Sequence, residues 1–196
     1  MRIAVIGTGN IGGTLGRALA RAGHQVTFGT RHAVGDEVSG DTGATAAGVA
    51  EALDVAQVVL LALPGPALED FLGDHAAAIN GKLVVDATNR IGASVTNGAA
   101  VILAAAPQAR YARAFNILGW ENFAEPVFDG APADLFFSAP SADRPVVEEL
   151  ITAVGLRPAY LGENKQDVVD GVLPLWFSLV QANGGNRHLA FRVVQK

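Results

Sequence analysis

Residues 1–31 read MRIAVIGTGNIGGTLGRALARAGHQVTFGTR, and their pattern predicts the core of the fold. An apolar run leads into Gly7-Thr8-Gly9-Asn10-Ile11-Gly12, and an amphipathic stretch and a second strand-like run follow. In this order of strand, glycine turn, helix and strand, a G-x-G-x-x-G pattern predicts a dinucleotide site. Gly7 permits the tight turn, Gly9 lets the backbone approach a pyrophosphate, and Gly12 lets the helix pack closely on the strand. The alternative is a glycine-rich turn that binds nothing.

The end of the second strand indicates which dinucleotide is bound. Folds that bind NAD place Asp or Glu about 20 residues after the glycines, where it bonds the ribose hydroxyls. Here Thr30 stands 18 positions after Gly12, and neither of its neighbours is acidic. Thr30, Arg31 and His32 instead offer a hydroxyl, a guanidinium and an imidazole, which suit the 2′-phosphate of NADP. The alternative is that Arg31 is an ordinary solvated surface charge.

Composition and charge favour a compact enzyme domain. The chain has 196 residues, half of them hydrophobic, which predicts one domain over residues 1–196. A net charge of −5 gives no reason to expect nucleic acid as a partner. The absence of cysteine excludes disulfides and thiolate catalysis, and the four histidines lack the spacing of metal ligands, so we expect no metal. Without a leader or a long apolar run, the chain is expected to be cytoplasmic, with no membrane contact.

Strand and helix patterns alternate along the chain, which predicts an α/β fold. The expected architecture is a Rossmann-like, doubly wound and mainly parallel sheet, with C-terminal helices packed on it. Strands are predicted at about 2–7, 25–30, 43–45, 57–63, 82–87, 111–115, 134–138 and 157–161. Helices are predicted at about 10–22, 46–53, 66–79, 98–106, 141–154 and 165–182, with a short one near 187–194 and a loop at 32–42.

Ligands of such sheets bind beyond the carboxyl ends of the strands. The predicted strand ends therefore supply further candidate cofactor residues, which are Ala62, Leu63, Pro64, Thr88, Asn89, Asn116 and Gly119. Each has an ordinary structural alternative as well. Pro64 could simply reverse the chain, and Asn116 could cap the following turn.

Acid–base machinery is missing from the sequence, which narrows the chemistry. Short-chain dehydrogenases use a Tyr with a Lys four positions later, but Tyr111 is followed there by Phe115 and Tyr160 by Asn164. Reduction of a carbonyl needs a proton donor, whereas hydride transfer between a nicotinamide and a flavin-like ring needs mainly close stacking. We therefore predict no catalytic side chain and a reaction carried by two stacked cofactors.

The chain resembles the NADP-dependent oxidoreductases of coenzyme F-420, an 8-hydroxy-5-deazaflavin hydride carrier. The segments that carry the resemblance are IGTGNIGGTLGRALARAGHQVTFGTR, VVLLALP, VVDATN, ARAFNILGWENFAEP and LPLWFSLVQANGGNRHLAFRVV. They extend over nearly the whole chain.

The resemblance implies a role for several of the candidate residues. It implies that Thr8, Gly9, Asn10 and Ile11 hold the pyrophosphate, that Thr30-Arg31 hold the 2′-phosphate, and that Leu63-Pro64 and the turn from Phe115-Asn116 to Gly119 border the nicotinamide. It also implies F-420 as the second substrate, in a cleft closed partly by the C-terminal helices. Two alternatives stay open: an NADPH-dependent reductase of a flavin or other small acceptor, and a non-catalytic NADP(H)-sensing module.

The predicted helix at about 165–182 carries an apolar face. Its members are Val168, Val172, Leu175, Trp176 and Leu179. Pro174 is expected to bend this helix, and Asn183-Gly184 to end it. The C-terminal helices, about 165–194, are expected to complete the cleft or to form the interface of a homodimer. Core packing of this face against the chain's own sheet is the alternative, and it is compatible with a homodimer. Because Trp176 and Phe177 point in different directions and both need cover, we favour the homodimer.

Overall fold

The centre of the computed structural model, which describes residues 1–31 and 40–194, is a six-stranded sheet. Its strands are β1 (Arg2–Ile6), β2 (Gln25–Thr30), β3 (Thr45–Gly48), β4 (Val58–Leu61), β5 (Leu83–Asp86) and β6 (Arg110–Arg113). All neighbours are parallel, in the order β3-β2-β1-β4-β5-β6. The predicted doubly wound parallel sheet is confirmed, and its strand order reverses between β1 and β4. At such a point a crevice opens at the carboxyl edge of the sheet.

The central strand β4 is continuously apolar because both faces of the sheet are covered there. In β4, Val58 and Leu60 enter the hydrophobic cluster on one face, while Val59 and Leu61 enter the cluster on the other. Helices α1 (Asn10–Arg21), α2 (Val49–Val55), α3 (Ala67–Ile79) and α4 (Ala99–Ala105) cover the sheet. Leu15 and Leu19 of α1 pack on the first face, and the apolar side chains of α2, α3 and α4 pack on the second.

The second half of the chain extends the first of these two clusters. It comprises α5 (Trp120–Ala124), β7 (Val127–Phe128), β8 (Ala131–Pro132), β9 (Asp134–Phe137), α6 (Arg144–Ala153), β10 (Arg157–Tyr160), α7 (Gln166–Asp170) and α8 (Val172–Ala182). Strands β9 and β10 pair in parallel as a separate small sheet, and β7 and β8 form an antiparallel pair. An isolated antiparallel bridge between Arg113 and Ser138 joins β9 to β6 of the main sheet. This half therefore packs against one face and one edge of the six-stranded sheet.

The prediction of a single helix at 165–182 is wrong, because the helix is interrupted at Gly171, between α7 and α8. Pro174 consequently lies in the first turn of α8, where its missing N–H costs little, and it does not bend a helix interior. The predicted apolar face is also only partly correct. Trp176 is buried, but Val168 and Leu175 are about half exposed, at 56% and 52%.

The short helix predicted near 187–194 is wrong as well. Gly184 and Gly185 have φ values of 67° and 85°, which ends α8 and turns the chain back. The following segment runs along β9, where the Asp134 amide donates to the Phe191 carbonyl at 2.8 Å. The Phe191 carbonyl is thus paired with β9, and the Val193 amide donates to the Asp134 side chain, instead of to a helix.

Further differences are small. The strand predicted at 43–45 lies slightly later in the chain, as β3 at Thr45–Gly48. The helix predicted at 46–53 likewise lies later, as α2 at Val49–Val55. Of the predicted loop at 32–42, residues 32–39 lie outside the described residues, and Gly40–Thr42 form a single 3-10 turn. Within the described parts of the chain, no helix has the length and apolarity needed to cross a membrane.

Candidate functional site

A cleft of about 590 Å³ opens at the carboxyl edge of the sheet, where the strand order reverses. It brings together ten of the residues that the sequence predicts as cofactor contacts. These are Gly7, Thr8, Gly9, Asn10, Ile11, Thr30, Arg31, Ala62, Leu63 and Pro64. They come from the glycine turn and from the ends of β2 and β4. The predicted pyrophosphate and 2′-phosphate groups of residues therefore lie in one crevice.

Close packing requires two glycines of the motif, Gly7 in the turn and Gly12 in α1. Gly7 has φ +108°, and a Cβ there would stand 2.4 Å from the Ala62 carbonyl oxygen. A Cβ on Gly12 would stand 1.9 Å from the Gly7 carbonyl oxygen. Any side chain at either position would push α1 away from the ends of β1 and β4. Gly12 thus acts in helix–strand packing, as predicted, and does not line the cleft.

Gly9 has a different reason for lacking a side chain. No heavy atom lies within 4 Å of the position that its Cβ would take, and Gly9 lines the cleft. It is also the N-cap of α1, and no side chain caps the helix or places an acidic group in its first turn. First-turn amides and the positive end of the helix dipole therefore face a space that a Cβ would narrow. These features fit the pyrophosphate of a dinucleotide.

The other end of the cleft lies at the tip of β2. Thr30 ends the strand and its hydroxyl donates to the Ala47 carbonyl at 3.3 Å, while Arg31 is exposed and lines the cleft. His32, the third residue predicted here, lies outside the described residues. A phosphate at this tip would meet a guanidinium and a hydroxyl, and no acidic residue follows Thr30 directly.

One face of α3 forms a wall of the cleft that the sequence reading missed. Its lining residues are Ala67, Asp70, Phe71, Asp74 and His75, at helical spacing. The Phe71 and His75 rings pack with their centroids 5.3 Å apart. The signal was available, because the predicted helix follows directly on the Leu63-Pro64 turn and this face starts at its first residue. His75, for which no role was predicted, therefore lines the cleft.

Thr88 and Gly119 are not brought to the cleft wall. Thr88 is buried, and its amide and hydroxyl both donate to Asp86 Oδ1, at 2.9 and 2.6 Å. A Cβ on Gly119 would stand 2.3 Å from Glu121 Oε2 and 3.3 Å from the Trp176 ring, so this glycine is packed under α8. Their assignment as cofactor contacts stays a prediction.

Asn89 and Asn116 lie beside the cleft and join neighbouring strand tips. Asn89 pairs with Pro64 in a parallel bridge, which connects the tip of β5 to that of β4. Its Nδ2 donates to the Asn116 carbonyl at 2.8 Å, which connects the tip of β5 to that of β6. The three strand ends that border the predicted nicotinamide position are therefore held together by polar contacts.

A fully buried arginine underlies these tips, and the sequence analysis missed it. Arg113 is 0% exposed and donates from Nε to Asp170 at 2.7 Å, from Nη1 to the Thr88 carbonyl at 2.5 Å and from Nη2 to Asn89 Oδ1 at 2.9 Å. It also lies 3.3 Å from Asp86 Oδ2. Breaking a buried pair of this kind typically costs about 3–5 kcal/mol. The signal was the single arginine inside the strand predicted at 111–115, since a buried cation needs partners.

Asp86 completes the buried cluster from the side of β5. Its Oδ2 accepts from the Tyr111 hydroxyl at 2.7 Å and from the Gly98 amide at 2.8 Å. Burial raises the pKa of Tyr111 well above its ordinary value, and the negative charge of Asp86 raises it further. Tyr111 is therefore a neutral hydrogen-bond donor at physiological pH.

The turn after β6 is strained at Phe115. Phe115 has φ +62°, a conformation that non-glycine residues adopt at a cost of about 1–3 kcal/mol. Its ring is buried and packs edge-on against Phe123, with centroids 5.9 Å apart. This packing holds the turn that presents the Asn116 carbonyl to Asn89. Over the described residues, no group of His, Asp and Glu side chains could hold a metal ion.

Comparison with known proteins supports a redox role for the N-terminal part. Residues 2–90 match the sequence model of a family described as "NADP oxidoreductase coenzyme F420-dependent". A solved structure of a candidate F-420-dependent NADP reductase from Arthrobacter sp. FB24 is similar with a TM-score of 0.85, at 24% identity and with 100% of both chains covered. The resemblance seen in the sequence is confirmed, and the structure shows the same fold from end to end.

Two further similarities are to longer proteins. A glycerol-3-phosphate dehydrogenase [NAD(P)+] from Paracoccus denitrificans is 32% identical over 155 residues, which are 72% of this chain and 46% of that protein. The chain thus spans about half the length of this curated relative. An imine reductase from Pseudomonas sp. shares the fold with a TM-score of 0.69 at 19% identity, over 93% of this chain and 62% of that one. Residues 2–90 are accordingly similar in sequence to the nucleotide domain of NAD(P)-dependent oxidoreductases.

Proposed function

We propose that this chain, whose residues 2–90 match the sequence model of the coenzyme F-420-dependent NADP oxidoreductases, transfers hydride between NADP(H) and F-420. The observation that carries the proposal is the single cleft in which the Gly7–Ile11 turn faces Thr30 and Arg31. One end of this cleft suits a pyrophosphate, and the other end suits a 2′-phosphate.

The proposed preference for NADP over NAD comes from Arg31. A charge-assisted hydrogen bond to phosphate contributes about 1.5–3 kcal/mol net. At about 1.4 kcal/mol per decade, this is a preference of roughly tenfold to a hundredfold. Asp70 and Asp74 line the same cleft and carry negative charge. We therefore place the 2′-phosphate at Arg31 and away from α3.

The hydride-transfer end of the cleft is proposed to lie at Leu63 and Pro64, beside Asn89. When bound, the nicotinamide and deazaflavin rings supply the chemistry, in which a hydride passes from one ring to the other. The protein then has to hold the two rings in contact and exclude water, and needs no proton donor at a forming alkoxide. The buried, neutral phenol of Tyr111 is consistent with a polar support under the strand tips and not with an acid in the cleft.

Spectroscopy tests the proposal. Protein is mixed with NADPH and oxidised F-420, and loss of the deazaflavin absorbance is followed, with NADH in place of NADPH as the matched control. Turnover with NADPH and little with NADH is expected. Turnover with FMN or FAD alone would contradict the F-420 assignment and favour a flavin reductase. Tight NADPH binding without turnover of any acceptor would favour an NADP(H)-sensing module.

A second copy of the chain is proposed to cover the outer side of α7 and α8. Val168 of α7 and Leu175 of α8 are 56% and 52% exposed there, and Phe177 is 41% exposed. Val172, which the sequence predicted on the same face, packs against the core instead. Trp176 does not need this cover, because it is buried and its Nε1 donates to the Leu189 carbonyl at 2.7 Å. Adjacent exposed apolar side chains of this kind are typical of an interface.

A further inference from the structure

A second cavity, of about 550 Å³, lies on the other face of the sheet from α3, between α1, α5 and the end of α6. We call it the α1–α5 groove. Its walls include Thr14, Arg17 and Arg21 of α1, Trp120 and Phe123 of α5, and Val154 after α6. None of its lining residues lines the cleft, so the groove is a separate site. Its volume is within the range of small-molecule sites.

The polar side chains that line the α1–α5 groove are all hydrogen-bond donors. Arg17 and Arg21 carry guanidinium groups, Thr14 a hydroxyl and Trp120 an indole N–H. No Asp or Glu of the described residues lines the groove, although the chain as a whole has a net charge of −5. An occupant therefore has to supply hydrogen-bond acceptors, and negative charge on it is favoured.

Two of these donors have no protein partner. The Arg21 side chain is exposed and forms no hydrogen bond or ion pair within the part of the chain that the structure describes. Trp120 is 39% exposed, and its indole N–H has no partner there either. The helix dipole accounts for an arginine in the last turn of α1. It does not account for an exposed tryptophan with an unpaired N–H in the same groove.

The apolar part of the groove is formed in advance of any ligand. Phe123 is buried and packs edge-on against Phe115, which fixes the floor under Trp120. At the far end, a Cβ on Gly155 would stand 2.8 Å from Pro126 Cγ, so the segments after α5 and α6 are in close contact. The groove therefore offers a rigid apolar wall beside its cationic side, and Trp120 gives this wall a flat aromatic surface.

The spacing of the donors on α1 favours a phosphate group over a single carboxylate. Thr14, Arg17 and Arg21 recur at intervals of three and four residues, so they lie on one side of the helix. Cβ atoms at this spacing are about 5–6 Å apart, and one ligand group can reach more than one of these side chains. A phosphate monoester offers three oxygens and a charge near −2 to such donors.

We propose that the α1–α5 groove is a second ligand site, which binds a small phosphate monoester with a planar ring. The phosphate lies at Arg21, and the ring lies on Trp120. This site goes beyond the proposed function, because it shares no lining residue with the cleft and requires neither NADP(H) nor F-420.

Isothermal titration with phenyl phosphate tests the site, because this probe carries both the ring and the phosphate. Inorganic phosphate lacks the ring, benzyl alcohol lacks the charge, and benzoate carries a carboxylate instead. Each probe is titrated into the unmodified chain and into the Arg21→Ala, Trp120→Ala and Arg31→Ala variants. Arg31→Ala is the matched control, since it removes an exposed arginine from the cleft and leaves the groove intact.

Phenyl phosphate is expected to bind the unmodified chain with a Kd of about 1 mM or below. Arg21→Ala should weaken this binding about tenfold, and Trp120→Ala about three- to tenfold. Arg31→Ala should stay within about twofold of the unmodified chain. Inorganic phosphate, benzyl alcohol and benzoate should each bind more weakly than phenyl phosphate, because each lacks one part of the recognised group.

Several results would overturn the inference. No binding of phenyl phosphate to the unmodified chain at about 10 mM would remove the site. A loss in Arg31→Ala together with full affinity in Arg21→Ala would place the probe in the cleft. Inorganic phosphate or benzoate bound as tightly as phenyl phosphate would contradict the assignment of a ring-bearing phosphate. None of these titrations uses NADP(H), so failure of the proposed function would leave their outcome unchanged.

Discussion

Gly9 and Gly12 stand three positions apart in one motif, yet each lacks a side chain for a different reason. A Cβ on Gly12 would collide with the Gly7 carbonyl, whereas a Cβ on Gly9 would meet no protein atom. Packing therefore requires a glycine at position 12, whereas the fold tolerates a larger residue at position 9. We expect the ligand to require this glycine, because Gly9 lines the cleft.

Replacing Gly9 with alanine should separate stability from binding. Its φ of −71° suits alanine, so Gly9→Ala should change the free energy of unfolding by less than about 1 kcal/mol. Affinity for NADPH, measured by titration calorimetry, should fall about tenfold or more, because the methyl group would stand in the path of the pyrophosphate. Gly73→Ala, at an unobstructed position in α3, is the matched control and should leave affinity unchanged. Full affinity in Gly9→Ala would refute the pyrophosphate site.

Removal of the Arg31 side chain should affect one nucleotide and spare the other. Arg31→Ala is expected to weaken NADPH binding by about tenfold or more while NADH binding barely changes, because only NADPH carries the 2′-phosphate. Arg21→Ala removes another exposed arginine, in the last turn of α1 and outside the cleft lining, and should change neither affinity. Equal losses for NADPH and NADH in Arg31→Ala would show that the phosphate assignment is wrong.

Elements with strong local patterns were predictable from the sequence. β2 lies at Gln25–Thr30 as predicted, because an alternating apolar run is bounded there by turn residues. Short elements escaped: α5 has five residues, and β7 and β8 have two each, which is too few to show a period. The segment predicted as a helix near 187–194 follows β9 instead, through a pairing with a distant part of the chain.

The same distinction applies to the candidate site. The glycine turn and Thr30-Arg31 are local signals, and the structure brings them into one cleft. The bond from Arg113 to Asp170 joins residues 57 positions apart, so no local pattern contains it. The α3 wall falls between these cases, because its helix was predicted but the direction of its face depends on how α3 packs.

A buried carboxylate in β9, Asp134, should make the free energy of unfolding depend on pH. Asp134 is 1% exposed and accepts from Arg157 Nη2 at 2.8 Å and from the Val193 amide at 2.5 Å. Burial alone would raise the pKa of Asp134, but the bonds from Arg157 and Val193 hold it below its ordinary value of 3.8. The ionised carboxylate therefore stabilises the fold above about pH 4, and this stabilisation is lost as the pH falls through the lowered pKa.

Asp134→Asn should accordingly lower the free energy of unfolding at pH 7 by about 1–2 kcal/mol, a modest value because water screens the half-exposed guanidinium of Arg157. In urea denaturation, the difference in unfolding free energy between Asp134→Asn and the unmodified chain should shrink as the pH is lowered from 4 toward 2. It shrinks because Asp134 becomes protonated in the folded unmodified chain as well. Asp54→Asn, at an exposed position of α2, should cost less than about 0.5 kcal/mol at either pH. A difference that persists undiminished at low pH would contradict this account of Asp134.

At the scale of the whole molecule, the second half of the chain supports the carboxyl edge of the sheet. Asp170 of α7 binds Arg113 at the end of β6, and the bridge from Arg113 to Ser138 joins the same strand to β9. The strand tips beside the cleft are therefore set by contacts from both halves. This arrangement leaves an exposed apolar stripe on the outer side of α7 and α8, which consists of Val168 and Leu175.

Oligomeric state tests the role of that stripe. The unmodified chain is expected to run at twice its chain mass in light-scattering chromatography, and Leu175→Glu is expected to run as a monomer, because burying a carboxylate in an apolar interface is costly. Gln181→Glu adds the same charge to an exposed polar position of α8 and should leave the dimer intact. A monomeric unmodified chain, or a dimer that tolerates Leu175→Glu, would remove this surface as the interface.

The cleft as the seat of NADP(H) is tested most directly by a crystal structure of the chain grown with NADP⁺. The expected result places the pyrophosphate against the amides of Gly9, Asn10 and Ile11, with the 2′-phosphate within hydrogen-bonding distance of the Arg31 guanidinium. A cleft without nucleotide at saturating NADP⁺, or a nucleotide seated elsewhere on the molecule, would contradict it.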